Sequence, residues 1–503
     1  MRIDTVLIAN RGEIAVRVIR ACRETGRRAV AVYSEADAHA LHVRLADQAV
    51  CIGPPEAAKS YLDVQKIIAA AKATGAQAVH PGYGFLAERA EAARAVEDAG
   101  LIWIGPRPDT IAELGDKLSA RAIAVEAKVP LAPGSDGPVS LENVGAVAEA
   151  VGFPLLLKAT GGGGGKGIRR VLRPEDLAGA LERAQGEARS AFGTGDVYVE
   201  GLVSPARHIE VQILGDGNGR AIHLNERECS LQRRQQKVVE ETPSPFVTPA
   251  LRARMGAAAV ALAERVRYRG AGTVEFLVDE SGAFFFLEVN ARLQVEHPVT
   301  EWITGVDLVR AQLHVAETGT LPLEQDEIGI HGHAIELRVN AEDPQAGYTP
   351  SVGRVHGLRI PGGPFVRVDT ALQEGDEVTP YYDSLVAKLA VWGVDRRQAL
   401  ERWAAAARAF HLGGIETTLP LVERLVDDED FQAGRFHTGW LEPWTERLED
   451  RPLSREEREL VAVAAALKAH AAGQGARLLT PGASAGPSPW VLLGRADRLR
   501  VRG

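Results

Sequence analysis

The chain has 503 residues, with 58 Lys plus Arg against 67 Asp plus Glu and a formal charge of −9. That balance excludes a general nucleic-acid binder, which carries a basic excess, and no apolar run approaches the ~18 residues of a membrane-spanning helix. The length suggests about three domains at roughly 150 residues each.

The N-terminus, MRIDTVLIANRGE, has charges inside its short apolar run and no cleavage pattern, so it does not read as a secretory signal. Cys22, Cys51 and Cys229 are far apart and odd in number. They fit thiols of a reducing, cytoplasmic compartment and not a disulfide framework or a zinc site. Only ten of the basic residues are lysine. Against such an arginine bias, a lysine marks a place where a compact ammonium is needed in place of a planar fork.

Residues 5–106 alternate strand-like and helix-like segments: TVLIAN (5–10), a helix over 11–26, RRAVAVYS (27–34), a helix over 61–75, AQAVHPG (76–82), a helix over 87–100, and LIWIGP (101–106). This predicts an α/β domain over 1–115, an open parallel sheet with ligands at the carboxyl ends of its strands. The first turn is NRGE, so no dinucleotide fingerprint is present. The stretch 116–133 reads as a linker, with VPLAPGSDGPVS (129–140) rich in Pro, Gly and Ser. A small α/β unit over 134–204 follows, then a β-rich segment over 205–446. The tail, 447–503, opens with a helix starting near Ser454 and running to about Gly473. A low-complexity loop and the apolar piece WVLLG come next. No internal repeat is present.

LLLKATGGGGGKG (155–167) is the strongest local signal. Five consecutive glycines are entropically costly, and they make sense where backbone N–H groups close on phosphate oxygens. It is not a Walker A loop, since Lys166 is followed by Gly167. Lys158, on the preceding strand, is placed to reach phosphates as a point charge.

GTVEFLVDESGAFFFLEVNARLQVEH (272–297) reads as two strands joined by a turn. Period-two geometry puts Glu288, Asn290 and Arg292 on one face, followed by Gln294 and Glu296 if the strand stays extended. A four-residue loop, 280–283, pairs Asp279 with Phe284 and therefore Glu275 with Glu288. Two carboxylates and an amide oxygen then converge as hard ligands, a set that suits Mg²⁺.

Together with GDK (115–117), YVEGLV (198–203), HIE (208–210) and ECSLQRRQQKVVEE (228–241), these segments form an ordered series. The series resembles the ATP-grasp superfamily, and more closely the biotin carboxylase component, or α subunit, of biotin-dependent acyl-CoA carboxylases. The resemblance spans residues 1 to about 446. It is carried by IANRGEIAVRVIRA, HPGYGFLAE, FPLLLKATGGGGGKG, ECSLQRRQQKVVEE, FLEVNARLQVEHPVTE, ITGVDLV, RVNAEDP and YYDSLVAKL, in that order. It implies an ATP-grasp fold of mixed α/β and α+β class: a Rossmann-like N-terminal domain, a mobile lid and a β-rich C-terminal domain.

The resemblance also implies an activity and its parts. ATP is cleaved, bicarbonate becomes carboxyphosphate, and CO₂ passes to carrier-linked biotin. Glu296 matches the general base; Lys237, Arg292, Gln294 and Val295 match the bicarbonate site. Lys117, Lys158, Gly163, Gly164, Gly165 and Lys166 match phosphate contacts. Glu200, Val203, His208, Gln232 and Leu277 match the rest of the ATP site. Glu275, Glu288 and Asn290 match the ligands of Mg²⁺ or Mn²⁺, and Arg338 and Tyr83 match the biotin pocket. One departure is QRRQQK, where Gln235 replaces the histidine usual in the family.

The expected partners are a second copy of the chain, a biotin carboxyl carrier and a carboxyltransferase β subunit, with neither nucleic acid nor membrane. The only methionines are Met1 and Met255, so there is no Met-Lys-Met biotinylation signal in these residues and the carrier is expected elsewhere. Two other readings are weighed: a different ATP-grasp ligase that activates a carboxylate, and a non-catalytic assembly subunit.

Overall fold

A computed structural model describes residues 2–161, 167–447 and 454–477. Short apolar runs followed at once by amphipathic helices give a five-stranded parallel sheet. Its strands are β1 (Thr5–Ile8), β2 (Arg28–Ser34), β3 (Gln48–Gly53), β4 (Ala78–His80) and β5 (Ile102–Trp103), in spatial order β3-β2-β1-β4-β5. β3 was not foreseen. It is an edge strand of half-exposed residues, and QAVCIG offers no long apolar run.

The order reverses between β1 and β4, which opens a crevice at their carboxyl ends. There the Asn10 amide donates to the carbonyls of Pro81 and Tyr83, each at 2.7 Å. Gly82 has φ +65°, and a Cβ there would lie 2.8 Å from that amide nitrogen, so the turn carrying Tyr83 requires glycine.

The stretch read as a linker is largely helical. Lys117–Glu126 is a helix whose first turn is capped by Asp116, accepting from the Ser119 N–H at 2.8 Å. The Pro, Gly and Ser signal belongs only to the residues after it.

The lid unit is a three-stranded antiparallel sheet, order β7-β6-β8, of β6 (Leu155–Ala159), β7 (Ile168–Val171) and β8 (Val197–Gly201). Leu155, Leu157, Val197 and Val199 pack against Leu181 and Ala184 of the helix Leu177–Phe192 and form a core of their own. The expected glycine-loop contacts at Gly163, Gly164, Gly165 and Lys166 lie outside the described residues.

The site is built on an eight-stranded antiparallel sheet. Its strands are β9 (Arg207–Asp216), β10 (Ala221–Arg233), β11 (Gln236–Thr242), β12 (Arg269–Val278), β13 (Phe284–Asn290), β14 (His333–Asn340), and the strands Leu385–Gly393 and Val366–Thr370. The order is β13-β12-β9-β10-β11-β14, then Leu385–Gly393, then Val366–Thr370. One face is apolar: Ile209, Val211, Val274 and Phe276 pack with Leu251, Met255 and Leu262 of the helix Pro249–Arg265. The other face carries His208, Glu210, Gln212, Thr273 and Glu275, all buried. A buried polar face must be satisfied internally, and that requirement shapes the site.

The β12–β13 hairpin corrects one expectation and keeps another. Val278, not Asp279, pairs with Phe284, so the loop is one residue longer than expected. A β-bulge between Glu275 and Phe276 on one strand and Phe286 and Glu288 on the other leaves Leu287 unopposed and restores the pairing of Glu275 with Glu288. The same slip lets Phe284 and Phe286 point into the core while Glu288 joins the polar face.

The strand does not stay extended beyond Asn290. The chain turns, and Glu296 sits at the N-terminus of the helix His297–Thr304, with Pro298 at its second position. Among the described residues no helix is long and apolar enough to cross a membrane. In the tail, Arg455–Arg477 is a helix, starting directly after Ser454 and running past the expected Gly473.

Candidate active site

Cross-strand register assembles the site. Arg227 pairs with Glu210, Glu210 with Glu275, and Glu275 with Glu288, so a cation and three carboxylates form one row across β10, β9, β12 and β13. Carboxylates directly opposite one another are unfavourable without cations. Arg227 answers from one end: it is fully buried, ion-pairs with Glu210, and donates to Gln212 at 2.7 Å, Thr300 at 2.9 Å and Thr273 at 3.1 Å. Lys237 reaches in from β11. Its ammonium lies 2.5 Å from Glu210, 2.8 Å from Glu275 and 2.7 Å from Glu296.

These partners set the charges. Burial opposes ionisation of Glu296, but Lys237, Arg338 and Arg227 outweigh it and hold the carboxyl well below its usual range. Burial likewise opposes charge on Lys237, yet Glu210, Glu275 and Glu296 keep the ammonium protonated far above its ordinary value. Arg338 closes the other side of Glu296, with Nη2 2.8 Å from Oε2 and Nε 2.6 Å from Glu240. Arg292 donates to Gln294 at 3.0 Å and Asn290 at 3.1 Å and lies 2.9 Å from Glu88. Lys237 and Arg338 thus meet on Glu296, and Arg292, joined to Gln294 and Asn290, feels the charge of the same carboxylate. Val295 borders them through its carbonyl, which accepts from Lys388 at 3.0 Å.

The nucleotide-side residues form a second group. His208 lies 2.9 Å from Glu275 and 2.6 Å from Gln232, and Leu277 pairs with His208 across β12 and β9. In the lid, Lys158 and Glu200 form an ion pair that Arg121 joins at 2.8 Å. Burial lowers the pKa of Lys117, an effect that Glu288 opposes and Lys158 reinforces, so this ammonium faces both groups. Val203 lies just after β8.

Glu275, Glu288 and Asn290 fit a hard divalent ion. Burial, and then the charge of Glu275, raise the pKa of Glu288. Asn290 donates to Glu275 at 2.8 Å. A divalent cation held by these residues would relieve that repulsion with the oxygen ligands it prefers.

Several groups escaped the sequence reading. Glu13, Glu88, Glu210, Arg227, Glu240 and Lys388 all hold expected site residues in position. Tyr83, expected at the biotin pocket, donates its hydroxyl to Glu13, and Glu13 lies 3.2 Å from Lys388. Each lies inside a quoted motif or next to one, but its partner is remote in sequence.

Known proteins carry the same organisation. The family model "Biotin carboxylase, N-terminal domain" matches residues 2–111, "Carbamoyl-phosphate synthase L chain, ATP binding domain" matches 116–324, and "Biotin carboxylase C-terminal domain" matches 336–443. The chain is 49% identical over 443 residues to the biotin carboxylase of Nostoc sp., covering 88% of this chain and 99% of that one. The biotin carboxylase domain dimer of the Hydrogenobacter thermophilus 2-oxoglutarate carboxylase, in complex with MgADP, ADP and bicarbonate, matches with a TM-score of 0.84 at 46% identity. That match covers 88% of this chain and 98% of that one. The biotin carboxylase subunit of a pyruvate carboxylase matches with a TM-score of 0.78, also at 46% identity, covering 90% and 100%. With this identity across nearly the whole described fold, the chain belongs to the biotin carboxylase family of ATP-grasp enzymes.

Proposed function

We propose that this chain performs the biotin carboxylase half-reaction of an acyl-CoA carboxylase: ATP-dependent carboxylation of carrier-linked biotin by bicarbonate. The observation that carries it is Glu296, a buried carboxylate gripped on one oxygen by Lys237 and on the other by Arg338. A base surrounded by cations suits a substrate that is itself an anion and must lose a proton.

Bicarbonate enters beside Lys237 and Arg292, whose planar fork matches a carbonate edge. As the anion competes for Lys237, Glu296 loses part of the stabilisation that keeps it a weak base, and it takes the proton. The freed oxygen attacks the γ-phosphorus of ATP, ADP leaves, and carboxyphosphate forms. Lys117, Lys158 and the glycine loop with Lys166 neutralise and align the phosphates, which is most of what phosphoryl transfer asks of a protein. Mg²⁺ or Mn²⁺, held by Glu275, Glu288 and Asn290, supplies further charge neutralisation when bound. Carboxyphosphate yields CO₂ and phosphate, and the lid excludes water meanwhile. The released phosphate takes the N1′ proton of biotin and N1′ takes the CO₂, while Arg338 faces the negative ureido oxygen and Tyr83 lines the pocket.

The carrier, as a separate protein or as a domain following residue 503, and the carboxyltransferase are the partners in this reading, and the second of them selects the acyl acceptor. Relatives named as carboxylase subunits support such partners. A cytoplasmic setting accords with three free cysteines. The test is ADP release that depends on both bicarbonate and biotin. Arg292→Ala and Glu296→Ala should abolish it, and biotin-independent release in the unaltered chain would favour another ATP-grasp ligase.

A further inference from the structure

Glu336, on β14, is fully buried, and neither of its carboxyl oxygens has a hydrogen-bond partner. Its cross-strand neighbour on β11 is Glu240, also fully buried. Glu240 Oε1 accepts from Arg338, while its Oε2 is unpartnered. Opposed residues of an antiparallel pair share a face, with Cβ atoms about 5 Å apart. Two bare carboxylates at that spacing, away from water, repel strongly. One proton removes the repulsion and supplies a donor where neither carboxyl has one.

The surrounding cations are already committed. Lys388, on the adjacent strand, lies 3.2 Å from Glu13 and 3.7 Å from Asp369 and donates to Val295. Arg338 is shared between Glu240 and Glu296. Arg367 is held by Asp369 and Glu301. His297, on the helix packed above, is kept neutral by burial and then by Lys388. On the opposite face of the sheet, Arg396 of the helix Arg396–Ala409 takes Glu241. Lys237 is shared among Glu210, Glu275 and Glu296, so on the site face Glu13, Glu240, Glu296, Glu336 and Asp369 still outnumber Lys237, Arg338, Arg367 and Lys388. Burial above all, opposed by Lys388 and reinforced by Glu240 and Asp369, lifts the Glu336 carboxyl well above its usual range.

We propose that Glu336 and Glu240 share one proton, carried by Glu336 as a neutral acid that donates to Glu240, and that the pair positions Arg338 by presenting it with one negative charge in place of two. This rests on the reading of Arg338 as the cation that faces biotin. A second charge behind the guanidinium would draw it into the sheet and cancel its field at the pocket. Glu336 is thus a positioning residue for the biotin half of the reaction.

Glu336→Gln in the full chain tests this, since the amide mimics the neutral acid. An unfolded glutamate loses its proton near the ordinary value of 4.5, whereas the folded acid keeps it. The unaltered chain therefore loses stability relative to the variant as pH rises. The variant should melt at or above the unaltered chain at neutral pH, with the gap widening as pH rises above the ordinary value of 4.5. If Glu336 is instead an ionised partner of Lys388, the variant melts lower or fails to fold, and either result overturns the shared proton.

Infrared difference spectra between the two proteins should show the loss of a protonated-carboxyl band; loss of a carboxylate band would overturn it as well. In biotin-dependent ADP release, the alkaline limb of kcat should move to higher pH in the variant with KM for ATP unmoved. An unshifted limb would end the positioning role. If the unaltered chain releases no ADP in response to biotin, the functional reading falls and the role for Arg338 with it. The shared proton would then still stand or fall on melting and infrared.

Discussion

Lys237 stands 2.7 Å from Glu296, so the cation expected to grip bicarbonate already touches the carboxylate expected to deprotonate it. Lys237→Met removes the strongest influence holding Glu296 low, since Lys237 leads the attractive charges around it. Glu296 then binds its proton at higher pH. The acid limb of the bicarbonate-dependent rate should move upward, and the rate should fall by about 10²–10³ as the oxyanion clamp is lost. A pH–rate profile of ADP release checks both.

Glu275 and Glu288 oppose one another across β12 and β13, and Glu288 is raised by burial and by Glu275. A carboxyl raised in the fold stabilises it at low pH and ceases to as pH climbs through the raised value. Glu288→Gln removes that loss, so without added metal the variant should melt at or slightly above the unaltered chain at neutral pH. The extra rise in melting temperature given by Mg²⁺ with ADP, over ADP alone, should largely vanish. Calorimetry with and without Mg²⁺ separates the two effects.

Glu241 reports on acid stability. Burial opposes its charge, but Arg396 at 2.7 Å and His333 at 2.7 Å bring its pKa from 4.5 down to about 2. A lowered carboxyl contributes stability above its unfolded value and loses it as pH falls through the folded one. At roughly 1.4 kcal/mol per pKa unit, Glu241→Gln should cost up to about 3 kcal/mol near pH 7. The difference should close between about pH 4.5 and 2. Urea unfolding across that range measures it.

Gln235 has φ +66° and Arg234 φ +47°, in the two-residue turn that joins β10 to β11. Both are exposed. That backbone favours glycine or asparagine, so Gln235→Gly should stabilise the hairpin by about 0.5–1 kcal/mol. Gln235→His restores the residue usual in the family and adds a group that titrates near neutrality. It should change KM for ATP or the pH–rate curve between about pH 6 and 7. If both stay the same, the position has no catalytic consequence.

Period-two alternation made the face shared by Glu288 and Asn290 legible, and the hairpin argument found the partner of Glu288. Neither could foresee the bulge at Leu287, because no glycine or other residue signature marks it in the run FFFLEVN. The assumption that the strand continued to Glu296 failed because β13 ends at Asn290 and the chain turns before the helix His297–Thr304, whose second position Pro298 occupies. The helix Lys117–Glu126 was hidden behind a downstream Pro and Gly cluster. Glu210, Glu240 and Glu336 were invisible as a group. An acid in a strand reads as solvent-facing until the layer that covers it is known, and here that layer comes from Lys237, Arg338 and helices far along the chain.

The row from Arg227 through Glu210 and Glu275 to Glu288 has a consequence for how the protein is made. Its members arrive on four strands, and Arg338, which completes the grip on Glu296, comes last. Until β14 emerges during synthesis, the acids Glu240 and Glu296 have no Arg338 to pair with. A nascent chain therefore passes through a stage in which its apolar cores can form but its charged interior cannot close. Ribosome-bound chains ending before β14 should retain unusually protease-sensitive strands β9 to β13, a vulnerability that ends within one strand's length of synthesis.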